Sequence, residues 1–233
     1  MPRLVPARFA ARPNRFIVLA RLQSGQEVRC HMADPGRLKE LLLPGAELRL
    51  RPAAPGAERR TGYSVVLVRA AMAPRPWVSL DTTLPNRLAV DLLRQGRVRG
   101  LGGCSSLRAE VRHGSSRFDF LLTPRRGADI FVEVKSVTLV VNGVARFPDA
   151  PTVRGTRHLQ ELTAHVQAGG RSAVLFVVQR PDATAVRAQR ITDPLFADAL
   201  AVARRSGVLL RAVRFRLAGD GSARYLGSLP VRT

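Results

Sequence analysis

Ser116-Arg-Phe-Asp119-Phe-Leu-Leu122 and, after Thr123-Pro-Arg-Arg-Gly-Ala-Asp129, Ile130-Phe-Val-Glu133-Val-Lys135 are the two runs that decide how this chain is read. Both read as strands, in which side chains alternate between two faces. A hairpin centred on Arg126 sets Asp119 opposite Glu133 and Arg117 opposite Lys135, so the four share one face. Phe118, Phe120, Leu122, Val132 and Val134 then form an apolar face for a core. Opposite Cβ atoms in such a pair lie about 5 Å apart, close enough for two carboxylates to hold one divalent cation. Without a cation the two anions repel each other. A register slip of one residue would bury an acid, so the pattern resists it.

Lys135 is one of only two lysines among 38 basic residues. A compact ammonium can titrate and approach a reacting oxygen where a planar guanidinium cannot. Asp119, Glu133 and Lys135 are therefore the expected catalytic residues. Mg²⁺ or Mn²⁺ on Asp119, Glu133 and the backbone carbonyl of Val134 would polarise a scissile phosphate and acidify an attacking water. Lys135 would orient or deprotonate that water, or stabilise the developing charge. Arg117 is placed to neutralise a phosphate oxygen. Glu110 and Asp91 are outer acids that solvent exposure explains as well. The alternative for the whole constellation is an ion-pair network on a strand hairpin.

The chain has 233 residues, is 45% hydrophobic and carries a formal net charge of +21. This describes a folded protein whose field favours polyanions, DNA or RNA first and anionic membrane surfaces second. Arg over Lys can also reflect coding bias, so the Arg count alone identifies no ligand. Cys30 and Cys104 form no CxxC pair and suit a reducing compartment. No apolar run approaches the roughly 20 residues that span a bilayer, and the first residues lack the apolar core of a signal peptide. The expected location is cytoplasmic, with no membrane partner.

Residues 14 to 80 read as short strands punctuated by Gly and Pro: 16–22, 27–31, 46–50, 63–70 and 77–80, with a short helical segment from Gly36 to Leu43. This suits an OB-like small β-barrel over residues 1–81; an irregular antiparallel extension of the following domain is the alternative. From residue 82 to 233 the reading is α-β-β-β-α-β-α-β. Its helices are 85–95, 156–168 and 194–205, and 173–178 is an unbroken apolar strand buried on both faces. The fold class is mixed α/β.

Helix, three strands, helix, strand, with Asp119 and Glu133-x-Lys135 on adjacent strands, resembles the PD-(D/E)XK nuclease superfamily. The leading Pro of that motif is absent, and Phe118 precedes the acid. A second resemblance covers nearly the whole chain. Asn14-Arg-Phe16, His31-Met-Ala-Asp-Pro-Gly-Arg-Leu38, Glu40-Leu-Leu, Pro85-Asn86, Ser116-Arg-Phe-Asp119, Glu133-Val-Lys-Ser136, Phe147-Pro-Asp-Ala150 and Thr152-Val-Arg-Gly-Thr-Arg-His-Leu159 with Glu161-Leu162 are similar to the sugar fermentation stimulation protein A (SfsA) family. Ala33-Asp34 stands where that family usually shows a Pro- or Asn-containing stretch. The resemblance implies an N-terminal OB-like domain, a nuclease-like C-terminal domain, sequence-nonspecific DNA binding and a regulatory link to sugar metabolism.

Arg15 and Arg37, within these motifs, join the candidate nucleic-acid contacts. Arg154, Arg157 and His158 add to them, because they would bring cationic groups to the first turn of a helix, itself attractive to phosphate. His158 reads equally well as a structural histidine. Phe16, Tyr63 and Trp77 could stack on bases of a single strand, and core packing explains each as well. His31 and His113 lack partners at zinc spacing. Gly100 to Gly103 lacks the phosphate-loop lysine. Three functions follow: a Mg²⁺- or Mn²⁺-dependent deoxyribonuclease acting on DNA, single-stranded or branched forms included; a DNA-binding protein on a silent nuclease fold; and an RNA- or protein-binding module.

Overall fold

Strand β1 (Val5–Asn14) forms where the sequence pattern is weakest, across Pro6, Arg8, Arg12 and Pro13. Ala7 and Phe9 alternate inward and are buried, and the reading of the sequence, which begins its strands at residue 16, contains no such strand. The structure is a computed structural model that describes residues 3–54, 56 and 58–233. β2 (Ile17–Leu22), β3 (Glu27–His31), β4 (Glu47–Pro52) and β5 (Tyr63–Arg69) follow. β1 pairs antiparallel with β2 and β4, β2 with β3, and β4 with β5. A parallel contact of β3 with β5, Cys30 opposite Tyr63, closes the ring. The result is a five-stranded OB barrel in the order 1-2-3-5-4-1, with no free edge within the ring. β6 (Trp77–Ser79) adds to β5. Val18, Ala20, Cys30, Leu48, Leu50 and Val68 fill the interior. Burial pushes the Cys30 thiol up to about 12, so this cysteine is a packing residue and not a nucleophile.

The helix expected from Gly36 to Leu43 is absent: the segment is a chain of turns. The N–H groups of Leu41 and Leu42 both donate to the carbonyl of Leu38, at 3.0 and 2.9 Å, and Leu38 has φ 48°. The carbonyls of Asp34, Gly36 and Arg37 are instead taken by the guanidinium of Arg12, which also reaches the carbonyl of Arg15. Leu38, Leu41 and Leu42 still bury against the barrel core. Their spacing records that packing, not a helix.

The second part of the chain opens with α1 (Leu84–Arg94) and a three-stranded meander of β7 (Cys104–His113), β8 (Ser116–Pro124) and β9 (Ile130–Val137). After β10 (Val140–Val141) and β11 (Val144–Phe147) come α2 (Val153–Gln167) and β12 (Arg171–Val178), then β13 (Ala185–Ala188), α3 (Pro194–Arg205), β14 (Leu209–Leu217), β15 (Ala223–Leu229) and β16 (Val231–Arg232). β7, β8 and β9 pair antiparallel, while β12 runs parallel to both β9 and β14. The α-β-β-β-α-β order expected from the sequence is present in α1, β7–β9, α2 and β12, while β10, β11, β13, β15 and β16 are strands that reading did not contain. β10, β11, β13 and β16 form a small separate sheet. Phe118, Leu121, Phe131, Val174 and Phe176 pack with Leu159 and Leu162 of α2 and Phe196 and Leu200 of α3. Asp193 ties the two helices' starts together: Oδ1 caps the N–H of Phe196 at 2.9 Å, and Oδ2 accepts the N–H of Thr152, the N-cap of α2, at 2.8 Å.

The chain divides into two compact units. One holds the described residues of Met1–Thr82 with Gln179–Pro181 and Phe215–Tyr225; the other holds Thr83–Val178, Asp182–Arg214 and Leu226–Thr233. Among the described residues no helix is long and apolar enough to cross a membrane.

Candidate active site

Phe120 pairs with Val132, Leu121 with Phe131 and Leu122 with Ile130, the register of a hairpin centred on Arg126. The regular ladder stops short of Asp119, and two local features account for this. Across β7, Glu110 stands at the position facing Asp119 with φ 56°, between the regular pairs Ala109 with Phe120 and Val111 with Phe118. Toward β9, the Asp119 carboxylate itself takes the ladder donor: Oδ2 accepts the N–H of Val134 at 2.8 Å. Strict alternation breaks here. Phe118 leaves the expected face and packs with Phe131, ring centroids 5.4 Å apart.

The second Asp119 oxygen, Oδ1, accepts from Nδ2 of Asn86 at 2.9 Å. Asn86 sits in the first turn of α1 behind Pro85, a residue pre-shaped for helix entry. α1 and β9 thus grip Asp119 from two sides.

Glu133 is 4% exposed. Its Oε1 accepts from Lys135 Nζ at 2.8 Å and lies 2.6 Å from Nδ1 of His158, while Oε2 is buried with no partner among the described residues. His158, on α2, is 2% exposed, and its Nε2 accepts from Nε of Arg154 at 3.3 Å. Both bonds are met by one tautomer, with Nδ1–H donating to Glu133. The ring stands edge-on to Phe118, centroids 5.5 Å apart.

Burial and the negative charge of Glu133 together raise the Asp119 carboxyl above its ordinary 3.8; the N–H of Val134, Asn86 and Lys135 oppose this without reversing it. Burial works the same way on Glu133, but there the His158 bond and the Lys135 charge outweigh it and hold the group below 4.5. The two acids are thus pushed in opposite directions, an arrangement common at functional sites.

The structure brings together Asp119, Glu133, Lys135 and His158, with Arg154 attached through the histidine. It leaves Arg117 outside: its Nε pairs with Glu110 Oε2 at 2.7 Å on the solvent side. Arg157 is exposed on α2. Arg15 and Arg37 belong to the other unit, both exposed, with Arg15 over the ring of Phe16 at 5.9 Å. Of the three expected stacking aromatics, Phe16 is 48% exposed, Trp77 is buried and Tyr63 packs on the barrel core. The sequence assigns Asn86 no role in the site, because only the folded chain brings α1 to Asp119. Glu161, another residue assigned no role, accepts from Ser115 Oγ at 2.5 Å and pins the β7–β8 turn to α2.

Residues 11–80 match the family model described as the SfsA N-terminal OB domain, and residues 83–221 match the one described as the sugar fermentation stimulation protein RE domain. The chain belongs to the SfsA family. The sugar fermentation stimulation protein homolog of Moorella thermoacetica is 47% identical over 211 residues, covering 91% of this chain and 89% of that protein. The homolog of Symbiobacterium thermophilum is 42% identical, covering 97% of this chain and 94% of its own length. Among solved structures, SfsA of Pyrococcus furiosus in complex with Ca²⁺ superposes with a TM-score of 0.89 at 30% identity, covering 100% of this chain and 97% of that one. The resemblance seen in the sequence motifs is borne out over both parts of the SfsA chain.

Proposed function

We propose that this SfsA-family protein is a divalent-metal-dependent phosphodiesterase acting on nucleic acid, with DNA as the favoured substrate. One observation carries the reading: a half-buried carboxyl of raised pKa, Asp119, and a buried one of lowered pKa, Glu133, sit within each other's field, and one oxygen, Glu133 Oε2, has no partner among the described residues. An orphaned buried carboxylate oxygen is costly unless something positive meets it. Among the described residues no group of three or more His, Cys, Asp or Glu is arranged to hold a metal. That donor set still fits Mg²⁺ or Mn²⁺, because Mg²⁺ is commonly held by one or two carboxylates with water and substrate phosphate completing its shell. SfsA of Pyrococcus furiosus is in complex with Ca²⁺, another hard oxygen-seeking cation, which supports divalent-metal binding; the ligands proposed for it here are Asp119, Glu133 and the carbonyl of Val134. A bound Mg²⁺ or Mn²⁺ would polarise a phosphate oxygen and acidify a water.

The protein's own groups divide the remaining work. Asn86 and the Val134 N–H fix the Asp119 carboxylate. His158 and Lys135 hold Glu133, and the Lys135 ammonium is positioned to orient an attacking water or meet charge developing on phosphorus. Arg154 and Arg157, exposed on α2, would take phosphates of the bound strand, as would Arg117, Arg15 and Arg37. The net charge of +21 draws polyanions to all of them. A cytoplasmic location suits such a substrate, and a regulatory role in sugar metabolism, which the relatives' name suggests, would act through DNA.

A second reading has its own support: Glu133 Oε1 is already doubly engaged by Lys135 and His158, so the cluster can stand as a structural ion pair in a DNA-binding protein that does not cut. The test is cleavage of single-stranded, duplex and branched DNA with Mg²⁺ or Mn²⁺, beside Asp119→Ala and Lys135→Ala. Cleavage lost in both variants with binding retained supports the enzyme. Tight binding without cleavage in any protein supports the silent fold.

A further inference from the structure

The strand registers of the barrel line up a row of side chains on its outer surface. Arg8 of β1 lies opposite Arg21 of β2 on one side and Glu47 of β4 on the other. Directly opposite residues project to the same face of a sheet. The alternate residues Ala7, Phe9 and Leu48 are the buried ones, so this row faces out. Arg69 of β5 continues it, with Nη1 3.6 Å from Glu47 Oε2, and Trp77 of β6 is opposite Arg69. At the far end Glu27 of β3 lies opposite Arg21, with no ion pair between them among the described residues.

The row carries more positive charge than its acids answer. Glu47 is shared between Arg69 and Arg75, the latter at 3.4 Å. Arg8 donates from Nη1 to the carbonyl of Gly45 at 3.1 Å, which fixes the guanidinium without neutralising it. Arg49, two residues along β4 and on the same side, donates to the carbonyls of Gly219 and Leu48 and stands over the Trp77 ring at 4.5 Å. Arg8 and Arg21 are like charges directly opposite each other, an arrangement that costs stability. A cavity of about 180 Å³ opens on the row, with Arg8, Arg21, Arg49 and Glu47 in its lining.

We infer that this row is a docking surface for the phosphate backbone of a nucleic-acid strand. The inference rests on the nucleic-acid reading above and names where on the barrel unit a strand lies. Guanidiniums immobilised by carbonyls and by an aromatic face are pre-organised to fork onto phosphate oxygens. From Arg21 to Arg69 the row crosses three inter-strand steps, about 14 Å. A linear array of this kind fits a polymer better than a bilayer surface.

The test uses the full chain as wild type, as Arg8→Gln/Arg21→Gln and as Arg8→Lys/Arg21→Lys. Each is titrated with a fluorescent single-stranded oligonucleotide in EDTA across a salt series. Each phosphate contact contributes about 0.7 to the slope of log affinity against log salt. The Gln pair is expected to be shallower by about 1.4 and the Lys pair to keep the wild-type slope; melting of each variant is followed alongside, since loss of the Arg8 bond to the Gly45 carbonyl opposes the relief of the Arg8–Arg21 repulsion. A Gln pair with the wild-type slope overturns the docking surface and leaves the nucleic-acid reading intact. Wild type that binds no oligonucleotide overturns both. Phosphatidylserine vesicles are titrated alongside, and a wild type that binds them but not the oligonucleotide makes the row a lipid surface and ends the inference.

Discussion

Asp119 Oδ2 accepts the backbone N–H of Val134 at 2.8 Å, so the carboxylate occupies the place of a ladder bond between the two strands that carry the acids. The side chain is both a candidate ligand and a structural bridge. Asp119→Ala leaves the Val134 N–H without its acceptor and should cost about 1–3 kcal/mol. Asp119→Asn keeps an acceptor there and should lose much less. Chemical denaturation of the two variants beside wild type decides it; equal losses would mean the bridge contributes nothing.

The raised Asp119 pKa makes a signed prediction. A carboxyl whose folded pKa lies above its unfolded value binds more protons when folded, so its contribution to stability falls as pH rises through that window. The window here begins near the ordinary 3.8 and extends upward. Metal-free wild type should therefore lose stability relative to Asp119→Asn as pH climbs from about 4. A wild-type-minus-Asn difference that stays flat between pH 4 and 7 would contradict the environment described for Asp119.

Divalent metal should reverse that penalty. Mg²⁺ or Mn²⁺ at about 100 times its Kd adds about 2.7 kcal/mol to the folded state by mass action, and the melting temperature should rise accordingly. The rise should vanish in Asp119→Ala. It should also strengthen with pH, since the metal displaces a proton from the raised carboxyl. A melting temperature indifferent to millimolar metal at pH 8 would favour the structural ion pair.

The register of the hairpin that carries the acids was legible in the sequence from the period-two alternation of its apolar residues, although Glu133, expected on an open face, is buried. The hairpin's surroundings were not legible. Asn86 reaches Asp119 across 33 positions, a contact that no local pattern encodes. The face of Phe118 depends on a left-handed residue in the neighbouring strand, Glu110. β1 is hidden by Pro6 and Pro13, which read as breakers, and the leucine spacing of Leu38, Leu41 and Leu42 imitates a helix whose carbonyls Arg12 has claimed. That Phe215–Tyr225 belongs to the barrel unit is a tertiary fact without a compositional mark.

Arg12 offers a separate check on that loop. Its guanidinium bonds four backbone carbonyls, those of Arg15, Asp34, Gly36 and Arg37, so Arg12→Ala should cost at least about 1.5–3 kcal/mol. Arg12→Lys keeps the charge but cannot reproduce the planar fork, and should fall nearly as far. Hydrogen exchange at Leu41 and Leu42, whose N–H groups close the turn on Leu38, should accelerate in both. Protection unchanged in Arg12→Lys would show that charge and not geometry holds the loop.

Lys135 separates chemistry from charge balance. Its Nζ lies 2.8 Å from Glu133 Oε1, so any cation there neutralises the acid, but only a compact ammonium can also approach a water or a phosphoryl oxygen. If Lys135 acts in the reaction, Lys135→Arg and Lys135→Ala should both lose about 10²–10⁴-fold in single-turnover cleavage, the usual range for a positioned proton-transfer group. Lys135→Arg should retain wild-type stability, while Lys135→Ala, which leaves the buried Glu133 with His158 as its one remaining partner, should lose some. Both should still bind DNA. An Arg variant that cleaves like wild type would confine Lys135 to holding Glu133, and the reacting water would then need another partner in the site.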